Sequence, residues 1–229
     1  MELLTGHKGP TKWQQLLHVR WELASRDPLE FFRWFGYTCD THDKTNPIKP
    51  FPWHKPHIQY MARLWQANPL LVIRKSRQMI QTWEFCGLAL WDALFNPGRL
   101  ICLQSKKEED AIGDETSGDG LLGRVKFMIN HIPGREFLLP KRTYRGMEKS
   151  VRFFSQSSTI LAIAQGADII RSHTISGLLS DECGFQDKFH EAYMAAIPCI
   201  RGGGWFVALS TANPGFYKAL WHDNLASYN

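Results

Sequence analysis

Apolar positions along the chain follow two rhythms. Over residues 11–26, Trp13, Leu16, Leu17, Trp21 and Ala24 recur at helical spacing. Asp27-Pro28-Leu29-Glu30 then reads as an N-cap, a proline at the first helical position and a capping-box acid. Two helices are predicted, the second ending at Gly36, and Trp13, Trp21 and Trp65 are assigned to core packing. From Tyr37 to Pro52 the composition turns polar and is closed by Pro47, Pro50 and Pro52, which predicts a loop or linker. Residues 1–52 are thus expected to form a small N-terminal helical appendage, and residues 53–229 the main domain.

Beyond residue 55 the rhythm changes to short apolar runs separated by helical stretches. A helix over 56–67 precedes the run Leu70-Leu71-Val72-Ile73-Arg74, and a helix from Thr82 to about Phe95 precedes Leu100-Ile101-Cys102-Leu103. Further strands are predicted at 151–155, 159–164, Thr174–Leu179 and Trp205–Leu209, with helices near 187–197 and 216–226. Strands that lack polar alternation and are separated by helices indicate a mainly parallel sheet covered on both faces, hence an α/β fold.

Composition adds little to that picture but removes some alternatives. Of 229 residues, 44% are hydrophobic and 21% charged, the balance of an ordinary globular domain. No apolar run is long enough to span a bilayer and no signal peptide is visible, so a cytoplasmic location is expected. The five cysteines are odd in number and scattered, and several lie inside apolar stretches; they imply neither a disulfide framework nor a zinc knuckle. A net charge of +5 suits a polyanionic partner. Basic residues gather in the irregular stretch after 105: Arg124, Lys126, Arg135, Lys141, Arg142, Arg145, Lys149 and Arg152. They read equally as a solvated face or as a DNA-tracking patch.

Open parallel sheets bind ligands beyond the carboxyl ends of their strands, so polar residues just after buried runs are the candidates for chemistry. Three such ends stand out. Lys75-Ser76-Arg77-Gln78-Met79-Ile80-Gln81-Thr82 joins a strand to a helix N-terminus, a geometry that offers backbone N–H groups to phosphates. The general phosphate loop closes on Gly-Lys-Ser/Thr; here those positions are Ile80, Gln81 and Thr82, and only the hydroxyl is kept. If position 80 needs a positive φ, its β-branched side chain is strained there. The second end, Leu178-Leu179-Ser180-Asp181-Glu182, places adjacent carboxylates after a buried strand. One could hold hydrated magnesium and the other orient water, although a strand followed by an acidic helix cap reads the same way. The third, Ser210-Thr211-Ala212-Asn213-Pro214-Gly215, ends a strand in small hydroxyl and amide side chains that can contact a γ-phosphate.

Taken in that order, the motifs over roughly residues 50–225 resemble the large terminase subunits of tailed bacteriophages. Ser76-Arg77-Gln78 looks like the opening of the family's Walker A loop, 178–182 like its Walker B strand, and 210–215 like its coupling motif. The resemblance implies a P-loop NTPase (ASCE-type) three-layer sandwich that hydrolyses ATP with Mg2+ to translocate double-stranded DNA into a procapsid. Asp181 and Thr82 would hold the metal, and Glu182 would be the catalytic glutamate. Lys75 would replace the missing loop lysine, as in family members whose lysine opens the loop. The nucleotide would be bound by Gln59, which matches a glutamine that reads adenine, and by residues Lys75, Ser76, Arg77, Gln78, Met79, Ile80, Gln81 and Thr82. Ser210, Thr211 and Asn213 would couple hydrolysis to movement. Arg77 is grouped with the catalytic residues, and Arg171 matches an arginine that in some members reaches a neighbouring subunit's site. Implied partners are DNA, the portal protein, the small terminase subunit and further copies in a ring, typically a pentamer, inside a host cell. The family's nuclease half is not expected in this chain. Alternatives are a helicase-like ATPase, or an inactive scaffold that binds DNA or capsid components.

Overall fold

A computed structural model describes residues 10–76, 79–139 and 143–222. Helices α1 (Lys12–Arg26) and α2 (Pro28–Phe35) open the described chain. Thr11 and Gln14 complete a capping box on α1, and the Asp27 carboxylate accepts from the Leu29 N–H to cap α2, whose first residue is Pro28. Of the boundary signals read at α2, the Asp27 cap and Pro28 are met, whereas Glu30 forms no capping box and instead accepts from Arg33 and from Trp34 Nε1. The inward line of α1 is Leu17, Trp21 and Ala24; Trp65 is buried, but Trp13 is 52% exposed. Trp13 sits one turn before Leu17 and overhangs the end of the packed surface, so the assignment of this residue to the core is corrected.

The stretch expected to be a loop contains a small antiparallel pair, β1 (Tyr37–Cys39) and β2 (Ile48–Pro50). Its polar residues serve the turn. The Asp40 carboxylate accepts from His42 N–H, while that of Asp43 accepts from Thr45 N–H and Asn46 N–H and pairs with Lys49 at 2.6 Å. Three hydrogen bonds hold the exposed Asp43 carboxyl down at about 2. Asx chemistry of this kind closes a hairpin without any apolar alternation to announce it.

The chain continues with α3 (Pro56–Ala67), β3 (Leu70–Arg74), α4 (Gln81–Phe95), β4 (Leu100–Gln104), α5 (Glu108–Ile112), α6 (Leu121–Asn130), α7 (Arg135–Leu138), β5 (Tyr144–Gly146), β6 (Ser150–Phe153), β7 (Ser158–Ile163), α8 (Asp168–Ser172), β8 (Gly177–Asp181), α9 (Phe189–Arg201), β9 (Trp205–Ser210) and α10 (Phe216–Trp221). The predicted helix at 216–226 is described as far as residue 222; the rest of it lies outside the described residues. The seven-stranded sheet has the order β3-β9-β8-β4-β7-β6-β5, parallel from β3 to β7, with β6 and β5 added antiparallel at one edge.

Two apolar clusters flank this sheet. Ile101, Leu103, Leu179, Val207 and Leu209 face one way, with α4 and α6; Cys102, Leu178, Phe206 and Ala208 face the other, with α9 and α10. Each central strand therefore alternates between two buried faces, which is why its sequence shows no polar alternation. Phe31, Phe32, Phe35 and Phe51 belong to the first cluster; α2 packs against α4, and β1 of the hairpin packs against α6. Gly87 makes room for this: a Cβ there would lie 2.3 Å from the Phe32 ring.

Candidate active site

Strands β3, β9 and β8 are neighbours, so the three polar ends that follow them converge at one edge of the sheet. Lys75 extends the β3–β9 ladder through its N–H to Ser210 O (2.9 Å), and its side chain then turns inward. The Lys75 ammonium donates to Thr82 Oγ1 (2.8 Å) and Asp181 Oδ1 (3.1 Å) and pairs with Glu182 Oε1 at 3.1 Å. One cation thus joins the first turn of α4 to both carboxylates after β8. The side chains of Lys75 and Asp181 are each 11% exposed, whereas that of Glu182 is 41% exposed. Charge-assisted bonds in such a partly dry site are stronger than at the open surface.

The acidic turn is built precariously at one residue and braced everywhere else. Glu182 has φ +47, in the left-handed region that non-glycine residues rarely adopt. Ser180 donates to Gln104, Gln186 donates both to Ser180 Oγ (3.1 Å) and to the Asp181 carbonyl (2.8 Å), and Gln104 donates to the carbonyls of Ala164 and Gly166. This buried network fixes where Asp181 and Glu182 stand. The segment after β9 clasps the turn from the other side. Gly184 N–H donates to Ser210 Oγ (3.1 Å), Asn213 Nδ2 to Gly184 O (2.6 Å), and Thr211 Oγ1 to Glu182 Oε2 (3.4 Å). Tyr217 holds the ends of β3 and β9 together by donating to Ile73 O.

A cleft of about 500 Å3 opens beside these groups. Its floor and one wall are Lys75, Ser76, Met79, Ile80, Gln81, Thr82, Glu182 and Thr211; the facing wall is the β1–β2 hairpin with Asp40, His42 and Lys49. Arg77 and Gln78 lie outside the described residues. Ile80 sits at the N-cap of α4 with φ +61, a left-handed conformation that glycine would adopt without cost. Thr82 Oγ1 and Asp181 Oδ1 are 3.5 Å apart. Two hard oxygens so placed fit Mg2+, which takes few protein ligands and keeps waters and phosphate oxygens for the remainder. Among the described residues no cluster of three or more His, Cys, Asp or Glu side chains could hold a metal by itself.

Two residues expected at the site do not line this cleft. Gln59 is half-buried in α3 and is not among the residues lining the cleft. Arg171 lies on α8 and lines a separate cavity with Arg99, His173 and Met194, beside the amino end of β8. Cys86 and Cys183, close to the carboxylates, are pushed up by burial, Cys86 to about 12; they remain thiols that pack as apolar groups. Sequence reasoning missed the Gln104–Ser180–Gln186 network and the hairpin wall. Gln104 was within reach, since it is the polar residue that directly follows the buried run 100–103.

The sheet order and the flanking helices define an α/β fold with a mainly parallel central sheet, a fold shared with phage large terminase ATPase domains. No protein-family model matches the sequence. Solved structures that resemble it include phage large terminases. The bacteriophage HK97 large terminase aligns with a TM-score of 0.62 at 13% identity, over 89% of this chain and 41% of that one. A point variant of the Thermus phage P74-26 large terminase ATPase domain aligns with a TM-score of 0.51 at 16% identity, over 71% and 67% of the respective chains. A large terminase from a thermophilic bacteriophage, solved in complex with ADP, aligns with a TM-score of 0.50 at 13% identity, over 88% and 42%. This chain therefore spans about two-fifths of the length of the HK97 protein. Among the described residues no helix is long and apolar enough to cross a membrane.

Proposed function

We propose that this chain is the ATP-hydrolysing motor domain of a terminase large subunit, which drives double-stranded DNA into a procapsid. The observation that carries this reading is the Lys75 ammonium held at once by Thr82, Asp181 and Glu182. A loop that lacks its usual glycine-lysine pair still aims a lysine into the site, from the strand end. With ATP bound, Lys75 would exchange the carboxylates for the outer phosphates, as a compact, flexible point charge can. Magnesium, held through Thr82 and Asp181, would supply charge neutralisation on the phosphates. Glu182 is the more exposed carboxylate and would orient the attacking water and accept its proton. Its contact with Thr211 offers a path by which the state of the site reaches the segment 210–215.

The likeness to a phage large terminase ATPase domain supports a packaging ATPase, and the large terminase solved with ADP supports a nucleotide in the cleft. The portal protein, the small terminase subunit and further copies in a ring are the partners this reading entails, with Arg171 available to a neighbouring copy and a host cytoplasm as the setting. The strained Ile80 implies slow turnover by the isolated chain and faster turnover on the assembled motor. The test is phosphate release with portal and DNA present, for the wild type and Glu182→Gln. Loss of release in the variant, at unchanged thermal stability, supports the ATPase. Absence of release in both proteins sinks it in favour of a scaffold.

A further inference from the structure

One arginine in the cleft has no role in the account so far. Arg124 projects from α6 and lines the main cleft together with Lys75, Thr82, Glu182 and Thr211. It also lines a second cavity, of about 620 Å3, which shares Glu182 and Thr211 with the first. Arg124 therefore borders both cavities together with the residue that would activate water. Its charge acts on the buried Cys86 thiol along with those of Asp181 and Lys75, which places it in the same electrostatic neighbourhood.

Arg124 is held without a direct ion pair among the described residues, although Glu109, Asp110 and Asp119 line the second cavity with it. Its Cζ lies 5.6 Å from the Trp83 ring, and Trp83 is in turn packed edge-on against Phe127 of the same α6 helix. Its Nε is buried and finds no hydrogen-bond partner among the described residues, and no ion pair engages it among them. A buried donor left unpaired is costly, and a guanidinium fork fits the oxygens of a phosphate. By contrast, Lys106, which lines the second cavity with it, pairs with Asp187 at 3.4 Å, and Lys126 of the same helix donates to the Glu148 carbonyl. Arg171, at the other end of β8, does not reach this cleft in the same chain.

We propose that Arg124 is the in-chain arginine that binds the outermost phosphate of the triphosphate and lets the site tell it from a diphosphate. The proposal rests on the nucleotide-binding reading of the cleft. Lys75 meets the phosphates from the strand side, and Arg124 meets the terminal one from α6, close to Glu182 and Thr211. Trp83 keeps the fork in place before the ligand arrives, so little rotamer freedom is lost on binding.

Equilibrium binding of a fluorescent, non-hydrolysable ATP analogue and of fluorescent ADP, both with Mg2+, tests this on the wild type, Arg124→Met and Arg124→Lys. Methionine keeps an apolar stem against Trp83 and removes the charge; lysine keeps the charge without the fork. The expected result is a triphosphate affinity at least tenfold weaker in Arg124→Met, an ADP affinity changed less than threefold, and partial recovery in Arg124→Lys. Equal loss for both nucleotides, or no loss for either, overturns the role of Arg124 while leaving the cleft a nucleotide site. If the wild type binds neither nucleotide, the reading of the cleft itself falls, and this proposal with it.

Discussion

Glu84 provides a thermodynamic test of the packing around the candidate site. It lies in the first turn of α4, is 0% exposed, and neither carboxyl oxygen finds a hydrogen-bond partner among the described residues. Desolvation pushes its pKa from 4.5 up to about 9, so the folded protein carries it as a neutral acid at pH 7. The positive end of the α4 dipole favours the anion, but by no more than about 1–2 kcal/mol, which is too little to offset burial of a carboxylate. Between these two pKa values the unfolded chain releases a proton that the folded chain keeps. Stability therefore falls as pH rises, by about 1.4 kcal/mol per pH unit. Glu84→Gln is neutral at every pH and lacks this slope. Its buried amide carries its own cost of about 1–3 kcal/mol, but that cost is constant with pH and displaces the profile without tilting it. Urea unfolding of both proteins at pH 5.5, 6.5 and 7.5 isolates the tilt, because other titrating groups cancel in the difference. The variant should gain roughly 3 kcal/mol on the wild type across those two pH units. Profiles that stay parallel within about 0.5 kcal/mol would show that Glu84 is ionised in the fold, and the burial argument would be wrong.

Three other expectations follow from the geometry. Lys75→Met removes a charge-assisted contact to phosphate worth about 1.5–3 kcal/mol, so nucleotide affinity should drop by about 10–100-fold in a binding titration, and an unchanged affinity would reject Lys75 as the loop lysine. At position 80 the usual order of residues should invert: with φ +61, Ile80→Gly should be about 1 kcal/mol more stable than Ile80→Ala in urea, and a more stable alanine variant would contradict the left-handed cap. Gly177→Ala would bring a Cβ within 2.4 Å of the Trp205 indole, whose Nε1 is tied to Asp92 at 2.8 Å. A loss of about 1–3 kcal/mol in thermal unfolding is expected, and no loss would mean that this indole moves freely.

Much of the fold was legible because the central strands are buried on both faces, which imposes unbroken apolar runs on the sequence itself. The runs at 70–74, 100–103 and 205–209 each became a parallel strand, and the polar residues after three of the strands converge on Lys75. The helix start at Asp27 was equally local, since a capping side chain acts within three residues of itself. The hairpin at 37–50 was hidden because its strands are three residues long and its turn is held by Asp40 and Asp43, whose polarity reads as loop.

The sequence by itself determined the α/β alternation, the order of the polar strand ends and the residue types available for chemistry, because each depends on neighbours along the chain. Only the tertiary structure decided that β9 lies between β3 and β8, that Ile80 is left-handed, and that Glu84 is dry. Of the described basic residues in the run from 124 to 152 it brought only Arg124 to the lining of the cleft, and it left Gln59 and Arg171 out of that lining. These are matters of non-local pairing and burial, fixed by how the sheet orders its strands and which faces the helices cover. A residue's own neighbours in sequence carry no record of that order.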